Sequence, residues 1–366
     1  MKKKVLVLIN TKFNVDRRKE FLLLCSLNHD VHISCPQNTE IIDVNDFTYH
    51  FSKYLSGNSK SIYRDIKYIA ELRKLKMRIN PDLVLAFTVK PIIYSSFIFY
   101  KSFVISTFTG LGYTFEKNNI TTFIAKFLLK FSSLFINELV VQNSDDKIKL
   151  EKLLRRKINL VSGSGIDFNN FSSPNINKKF KKSMLIVGRL IKAKGFSILL
   201  ENLDELTKTL NRHKVDLIII GDYEKDNPDS ISVDDYNLIR ASDKIKYVEE
   251  TKNIDHYYKL SDFILTLSNR EGLNRVNVEG MYFGLGIITL LNPGCHEMVI
   301  DSPINLKMNL FDLKEINLFL DDYYSLSQND LFFNREMNSK HIISNYSSLR
   351  IFDQYKEIKK VGKQFF

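Results

Sequence analysis

Short continuous apolar runs recur along the chain, separated by longer segments with helical character. Continuous rather than alternating hydrophobicity indicates strands that are buried on both faces of a parallel sheet. In the first half the predicted strands are Lys4–Asn10, Val31–Cys35, Leu83–Phe87, Val104–Phe108, Leu139–Gln142 and Ile158–Val161. In the second half they are Met184–Val187, Asp216–Ile220, Lys246–Val248, Phe263–Leu267, Ile287–Leu291 and Asn305–Met308. Strands that alternate with helices predict two doubly wound α/β units.

The joint between the two units is predicted at Phe168–Lys182, the longest polar stretch between strands, which is rich in Asn, Ser and Lys. A length of 366 residues also favours two domains. We therefore expect a first domain over 1–167, a second domain over 168–345 and a C-terminal helical segment over 346–366.

Several classes of protein are disfavoured by composition. No apolar run reaches the roughly 18 residues that a membrane-spanning helix needs, and Met1–Lys4 leads directly into a strand without a signal-type cleavage site. The three cysteines, Cys25, Cys35 and Cys295, are widely spaced and odd in number, which indicates neither a disulfide framework nor a zinc motif. The seven histidines show no ligand spacing. We expect a cytoplasmic protein without a metal site.

The excess of positive over negative charge is confined to the first half. Residues 1–170 hold 26 Lys and Arg against 15 Asp and Glu, whereas residues 171–366 hold 27 of each kind. Such asymmetry favours a polyanionic partner for the first half, either nucleic acid or an anionic membrane surface. No nucleic-acid-binding motif is present, so nucleic acid is not expected as a partner.

Asn119–Asn137 carries an apolar stripe at helical spacing, with Lys126 and Lys130 on the other face. The stripe consists of Ile120, Phe123, Ile124, Phe127, Leu128, Phe131, Leu134 and Phe135. It is typical of a helix that lies in a membrane interface, and equally of a helix that packs onto its own sheet. A second basic helix, Ser61–Met77, favours a solvated face.

Ser268–Glu297 reads as the loop, helix and strand that follow the predicted strand Phe263–Leu267. A turn with Glu271 and Gly272 precedes a predicted helix over Arg275–Tyr282, which stops at Gly284 and Gly286. Open α/β sheets bind ligands at this edge, where a helix N-terminus offers free N–H groups to an anion.

Glu271 and Glu279 have seven residues between them. On an ideal helix that places them roughly 12 Å apart, too far to share a proton. Two carboxylates at this spacing can bind hydroxyls at both ends of an elongated ligand such as a nucleotide-sugar. The alternative is two solvated glutamates, since surface Glu is common.

Arg189 and Lys194 follow the first strand of the second half, in the run Gly188–Gly195. Both side chains can reach one diphosphate, the Arg bidentately and the Lys as a point charge. The alternative is again two solvated residues.

These two segments together resemble retaining glycosyltransferase family 4. The family pattern of Gly-Arg-Leu, three residues and Lys-Gly matches Gly188–Gly195 in full. The family's paired glutamates and Pro-Gly turn match Arg270–Arg275, Glu279, Gly284, Pro293–Cys295 and Glu297. Within the family, the chain is most similar to bacterial enzymes that build O-antigen and capsule repeats on a polyprenyl-diphosphate carrier.

The resemblance implies the GT-B fold, in which two Rossmann-like domains face each other across a ligand cleft and the last helix crosses back to the first domain. It also implies a retaining, metal-independent transfer without a cofactor. Glu271, Arg189 and Lys194 would act on the sugar and diphosphate, and Glu279 would bind the ribose. The remaining donor-binding positions that it implies are Gly188, Gly272, Leu273, Arg275 and Val248.

On the acceptor side, Thr109–Tyr113 follows an apolar strand and, with Lys90-Pro91 before it, resembles a segment of the polyprenyl-diphosphate branch. The resemblance places Thr109, Gly110 and Gly112 near the acceptor. One departure concerns the loop Asn10–Asn14, which lacks the glycine pair that many members have there. Lys12 is the candidate to supply charge in that loop.

The expected reaction moves an N-acetylhexosamine, such as GalNAc or GlcNAc, from a UDP-sugar to a polyprenyl-diphosphate-linked saccharide. The protein would bind peripherally to the anionic cytoplasmic face of the inner membrane. Two alternatives share the architecture: a nucleotide-sugar 2-epimerase and a non-catalytic scaffold protein. The chain has all four charged residues of the transferase pattern, namely Arg189, Lys194, Glu271 and Glu279, which disfavours both alternatives.

Overall fold

A computed structural model of the chain describes residues 2–37, 39, 46–55, 61–112 and 120–358. The chain forms two compact units. Unit 1 consists of Met1–Asp167 and Tyr346–Phe366, and unit 2 of Phe168–Asn345.

Unit 1 is built on a seven-stranded parallel sheet with the order β3-β2-β1-β4-β5-β6-β7. Its strands are β1 (Lys3–Leu8), β2 (His29–Pro36), β3 (Phe47–Ser52), β4 (Leu83–Phe87), β5 (Phe103–Phe108), β6 (Glu138–Val141) and β7 (Asn159–Leu160). The sequence does not predict β3, which reads Phe-Thr-Tyr-His-Phe-Ser. This strand lies at the sheet edge and is only partly buried, so it lacks a continuous apolar run.

Unit 2 is built on a six-stranded parallel sheet with the order β10-β9-β8-β11-β12-β13. Its strands are β8 (Ser183–Val187), β9 (Asp216–Ile220), β10 (Ile245–Val248), β11 (Phe263–Thr266), β12 (Gly286–Leu290) and β13 (Leu306–Met308). Each coincides with a predicted apolar run to within one or two residues.

Helices cover both sheets. The first six are α1 (Lys12–Asp16), α2 (Lys19–Ser26), α3 (Ile62–Ile79), α4 (Val89–Ile98), α5 (Ile120–Ser132) and α6 (Ser144–Leu154). They are followed by α7 (Phe196–Glu201), α8 (Leu203–His213), α9 (Val233–Ala241), α10 (Ile254–Leu260), α11 (Arg275–Tyr282), α12 (Leu313–Ser325), α13 (Gln328–Tyr346) and α14 (Ser348–Glu357). None of the helices in the described residues combines the length and the apolar character needed to cross a bilayer.

The last helix completes a core of unit 1. Ile351, Phe352 and Tyr355 of α14 are buried in one cluster with α2 and the β1 strand. The Phe21 ring lies 5.0 Å from the Tyr355 ring, centroid to centroid, and the Tyr355 hydroxyl lies 2.8 Å from Thr107 Oγ1. Residues far apart in sequence therefore share one hydrophobic core.

The apolar stripe of α5 faces solvent. Phe123 is 70% exposed and Phe127 64%, whereas Leu129, on the opposite side of the helix, is fully buried. Leu134, in the 3-10 turn Ser133–Phe135 that follows α5, is 75% exposed. The alternative in which this stripe packs onto the domain's own sheet is therefore wrong. Large apolar side chains grouped on a surface mark an interaction site.

Candidate functional site

The unit 2 sheet reverses its strand order between β8 and β11. From β8 the chain adds β9 and β10 on one side, while β11, β12 and β13 extend the other side. Ligands of open α/β sheets bind outside the carboxyl ends of the strands at such a switch point. The loops after β8 and β11 meet there, and they carry most of the predicted donor-site residues.

The loop after β8 is held in place by glycines. A Cβ on Gly221 would lie 1.8 Å from the Gly188 carbonyl oxygen, so this crossing of two loops requires glycine. After a short 3-10 turn, Lys192–Lys194, the chain passes through Gly195 with φ +83°. A Cβ on Gly195 would lie 2.1 Å from the carbonyl oxygen of Leu267. The loop therefore packs closely against Leu267, the residue that follows β11, and places Lys194 beside it.

The loop after β11 is fixed by the Pro-Gly turn that the sequence contains. The Glu271 N–H donates to the Pro293 carbonyl at 2.9 Å, and a Cβ on Gly294 would lie 2.3 Å from the Glu271 carbonyl oxygen. Asn274 caps α11 by accepting a hydrogen bond from the Asn277 N–H at 3.1 Å. Glu271 thus lies in a rigid turn before the helix.

Lys194 and Glu271 form an ion pair at the switch point, between Nζ and Oε1. They are 77 residues apart in sequence. Their side chains are 30% and 18% exposed, so the pair is partly shielded from water while remaining accessible to a ligand. The structure brings these two predicted residues together.

Glu279 lies on α11 and has two partners. Its carboxylate accepts hydrogen bonds from Arg275 Nε at 2.6 Å and from the Tyr258 hydroxyl at 2.8 Å. Burial, with the Glu279 carboxylate beside it, raises the pKa of Tyr258 well above its usual range, so the phenol remains a hydrogen-bond donor. Because Glu271 lies before the helix, the ideal-helix separation of roughly 12 Å does not describe this pair of glutamates.

Arg189 is paired with a residue that the sequence does not single out. Its Nη1 lies 3.2 and 3.3 Å from the two carboxylate oxygens of Glu224. Glu224 also accepts a hydrogen bond from Asn227 Nδ2 at 2.5 Å. This hydrogen bond and the Arg189 charge, opposed by partial burial, lower the pKa of Glu224. Arg189 and Lys194 therefore have separate carboxylate partners.

Val248 ends β10, two strands away from β8. Its carbonyl accepts a hydrogen bond from the Gly221 N–H at 3.1 Å, and the Tyr247 hydroxyl donates to the Gly221 carbonyl at 2.8 Å. Gly272 and Leu273 follow Glu271 and are half-buried. The predicted donor-binding positions thus lie along the carboxyl edge of one sheet.

On unit 1, the predicted acceptor residues Thr109, Gly110 and Gly112 directly follow β5. Gly110 and Gly112 have φ values of +111° and +63°. Among the described residues, nothing lies within 4 Å of a Cβ built on Gly112, and its positive φ favours glycine at this position. Lys12 lies at the start of the short helix α1 and not in an open loop. Tyr113, the last residue of the predicted segment, lies outside the described residues.

The switch point of the unit 1 sheet lies between β1 and β4 and holds polar atoms that the sequence does not reveal. Among the described residues, Asn10 Oδ1 after β1 and Thr88 Oγ1 after β4 are buried without a hydrogen-bond partner. Thr88 also has φ +71° and ψ 159°, a strained conformation for a β-branched residue. Such features concentrate at ligand sites.

The site residues that the sequence does not predict are recognisable only from their contacts in the folded protein. Tyr258 comes from α10, and Glu224 and Asn227 lie in the segment after β9, outside any recognised motif. Asn10 is different, because it directly follows a strand. Once the position of the switch point is known, a polar residue at such a strand end can be predicted to face a ligand.

Two family models match the chain. Residues 167–305 match the model described as glycosyl transferases group 1, and residues 15–143 match the model described as glycosyl transferase 4-like. The chain is 24% identical over 178 residues to an uncharacterized glycosyltransferase of Haemophilus influenzae, covering 48% of each chain. It is 30% identical over 126 residues to the capsular polysaccharide biosynthesis glycosyltransferase CapH of Staphylococcus aureus, covering 33% of this chain and 35% of CapH. The matched regions thus span about half and about a third of these two relatives.

The fold has close structural counterparts. The structure of Anabaena HepE in complex with UDP and glucose matches with a TM-score of 0.75 at 12% identity, covering 98% of this chain and 99% of HepE. The predicted GT-B class, with two parallel-sheet α/β domains, is confirmed. Together with the family models, these findings support a glycosyltransferase of the GT-B type.

Proposed function

We propose that this protein is a retaining glycosyltransferase that takes its sugar from a nucleotide-sugar. The observation that carries the proposal is the Lys194–Glu271 ion pair at the switch point of unit 2, beside the capped N-terminus of α11. A cation, a carboxylate and free helix N–H groups at one sheet edge suit a ligand that joins a diphosphate to a hydroxyl-rich sugar. The matches to glycosyltransferase models support the same class.

In the proposed reaction, the bond between the anomeric carbon and the phosphate oxygen breaks, and its electron pair leaves with the nucleoside diphosphate. The acceptor hydroxyl oxygen bonds to the anomeric carbon from the same face, and its proton passes to the departing phosphate oxygen. Arg189, Lys194 and the N–H groups at the start of α11 stabilise the growing negative charge. This set of donors supports a metal-independent reaction.

The ion pair also suggests how the site receives its donor. In the free protein, Lys194 neutralises Glu271. An incoming diphosphate competes for Lys194, which frees the Glu271 carboxylate to accept hydrogen bonds from sugar hydroxyls. Glu279, held by Arg275 and Tyr258, is proposed to bind the ribose hydroxyls.

For the donor we propose a UDP-linked N-acetylhexosamine, GalNAc or GlcNAc. The HepE structure, which holds UDP and glucose, supports the nucleotide. For the acceptor we propose a polyprenyl-diphosphate-linked saccharide in surface polysaccharide synthesis, which the similarity to the capsular enzyme CapH supports. Thr109, Gly110, Gly112 and Lys12 are the proposed acceptor-side residues.

Because such an acceptor stays in the bilayer, we propose that unit 1 binds peripherally to the cytoplasmic face of the inner membrane. The exposed stripe of α5 supplies an apolar wedge, and Lys126 and Lys130 can extend toward lipid phosphates. The positive charge of residues 1–170 attracts an anionic surface, with about 1 kcal/mol for each cation close to it.

Sugar transfer from a panel of UDP- and GDP-sugars, with and without a lipid-diphosphate acceptor, tests the reaction. We expect Lys194→Ala, Arg189→Ala and Glu271→Ala each to lower kcat/KM by about 100-fold. The control is Lys192→Ala, which removes an exposed lysine from the same turn. Wild-type turnover in all three variants contradicts the proposal, and conversion of the donor to its C2 epimer without acceptor indicates an epimerase.

Flotation with anionic and neutral vesicles at low and high salt tests the membrane proposal. We expect binding to anionic vesicles at low salt and release at high salt, because screening weakens the lysine contacts. Phe127→Ser should reduce binding without unfolding the protein. Leu310→Ser, which replaces an even more exposed apolar side chain on unit 2, should bind like wild type. Equal loss in both variants contradicts the assignment to α5.

A further inference from the structure

A cavity of about 330 Å³ lies in unit 1 between the edge strand β3 and helix α3. In the sheet order, β3 is separated from the β1–β4 switch point by β2. None of the proposed donor or acceptor residues lines this cavity. Its lining residues are Ser34, His50, Phe51, Ser52, Glu71, Lys74, Leu75 and Arg78.

Arg78, in the last turn of α3, is held by a neutral imidazole. Its Nη2 donates to His50 Nδ1 at 2.8 Å, which leaves the His50 proton on Nε2, 3.1 Å from His32 Nδ1. The His32 Nε2 in turn lies 3.3 Å from an Asp30 carboxylate oxygen. Burial, with His32 and Arg78 nearby, lowers the pKa of His50 to about 4, so this ring is neutral near pH 7. This series of contacts orients the Arg78 guanidinium without neutralising its charge.

Lys74 lies four residues before Arg78 and therefore on the same side of α3. Neither cation has a carboxylate partner within the residues that the structure describes. Like charges at this spacing repel each other unless an anion lies between them. The cavity thus combines two cations that, among the described residues, form no ion pair with a carboxylate.

The same cavity also holds groups that suit hydroxyls. The Glu71 carboxylate accepts a hydrogen bond from Ser52 Oγ at 2.5 Å and has further acceptor capacity. With His50 neutral, Lys74, Arg78 and Glu71 leave the lining with one net positive charge. The ligand that complements this lining has an anionic group at one end and hydroxyls at the other.

We propose that this cavity binds a phosphorylated polyol. Arg78 and Lys74 hold the phosphate, the Arg through its planar fork of donors, while Glu71 and Ser52 hold the hydroxyls. A volume of about 330 Å³ lies within the range of small-molecule sites and exceeds what inorganic phosphate alone fills. The site goes beyond the proposed transferase reaction, because its residues take no part in that chemistry.

Two sources carry this chemistry: a soluble phosphorylated polyol, such as glycerol 3-phosphate, and the headgroup of phosphatidylglycerol. Both present one phosphate next to free hydroxyls. The first arm of the test titrates the full-length protein with glycerol 3-phosphate, inorganic phosphate and glycerol, by calorimetry and by the imidazole nitrogen signals of His50 and His32. The second arm compares phosphatidylglycerol vesicles with phosphatidylserine vesicles of equal charge.

In the first arm we expect saturable binding of glycerol 3-phosphate that is tighter than that of inorganic phosphate or glycerol. Arg78→Gln and Lys74→Gln should each weaken it by about tenfold, the value of one charged contact. The matched control is Arg73→Gln on the same helix, an exposed side chain outside the cavity lining, with an expected change below about twofold.

A preference for phosphatidylglycerol that disappears in Arg78→Gln identifies the lipid as the source, and binding in the first arm alone identifies the soluble compound. The proposal is overturned if neither arm shows saturable, Arg78-dependent binding. It is also overturned if Arg73→Gln weakens binding as much as Arg78→Gln, because the effect is then only the general positive charge of α3. Neither outcome depends on transferase activity.

Discussion

The two switch points of this protein share a topology and differ in chemistry. In unit 2, Lys194 and Glu271 at the ends of β8 and β11 are charged and paired. In unit 1, the polar atoms Asn10 Oδ1 and Thr88 Oγ1 near the ends of β1 and β4 are neutral and, in the described part of the chain, unpaired. The same sheet geometry therefore presents a charged ion pair in one unit and, among the described residues, unpaired neutral atoms in the other.

The difference shows that the fold supplies a place and the strand-end residues decide what binds there. Paired charges suit a diphosphate, which can replace one partner of the pair. Neutral atoms without partners suit sugar hydroxyls, because each unpaired buried group costs about 1–3 kcal/mol that a ligand hydrogen bond can recover. The contrast supports the proposed donor site in unit 2 and the proposed acceptor site in unit 1.

The largest expected effect concerns the glycines that shape the two sites. Gly195→Ala should lower the free energy of unfolding by about 3 kcal/mol and abolish transfer, because its Cβ meets the Leu267 carbonyl and displaces Lys194. Gly112→Ala, at a similar positive φ and with no close neighbour in the described part of the chain, should cost only about 1 kcal/mol. Urea unfolding and transfer assays of both variants measure this. Equal costs would show that the close approach at Gly195 is unimportant.

The next effect concerns the buried tyrosine that holds Glu279. Tyr258→Phe should raise KM for the donor about tenfold and change kcat by less than about twofold, since it removes one hydrogen bond from a binding carboxylate. The matched variant Tyr355→Phe removes an equally buried hydroxyl from unit 1 and should leave the donor KM unchanged. A donor KM that rises equally in both variants would indicate a general loss of stability.

The smallest effect concerns the unpaired neutral atom of Asn10 in unit 1. Asn10→Leu should raise the free energy of unfolding by about 1 kcal/mol, because it removes a buried polar atom without a partner. It should also raise KM for the acceptor but not for the donor. Lys194→Met should change stability with the opposite sign, since it removes the cation that neutralises the partly buried Glu271 carboxylate. Thermal or urea unfolding without ligands measures the sign of the stability change in each variant. A destabilised Asn10→Leu variant would contradict the contrast between the two switch points.

The sequence predicts the sheets well because most strands are buried on both faces. The bounds of α11 are also predictable, since the cap at Asn274 and the stop at Gly284 are local signals. Edge strand β3 is not, because partial exposure interrupts its apolar pattern. For α5, periodicity predicts the apolar stripe but not the direction it faces, which depends on the neighbouring helix α4 and the sheet.

The site is predictable only in its residue types. Lys194 and Glu271 are recognisable from their patterns, yet their contact depends on β8 and β11 being neighbours across a change in strand order. The partners of Arg189 and Glu279 come from segments without a motif. Unpaired atoms such as Asn10 Oδ1 depend on every surrounding group, so no local pattern of residues reveals them.

The packing of α14 into the unit 1 core has a consequence for synthesis on the ribosome. Unit 2 has all of its residues once position 345 has left the exit tunnel, whereas unit 1 still lacks Ile351, Phe352 and Tyr355. The half of the protein that is translated first therefore completes its core last. Until then, Phe21 and its neighbours on α2 lack their aromatic partners. A released chain truncated after Asn345 should expose this apolar surface to chaperones, although it has all the residues of unit 2.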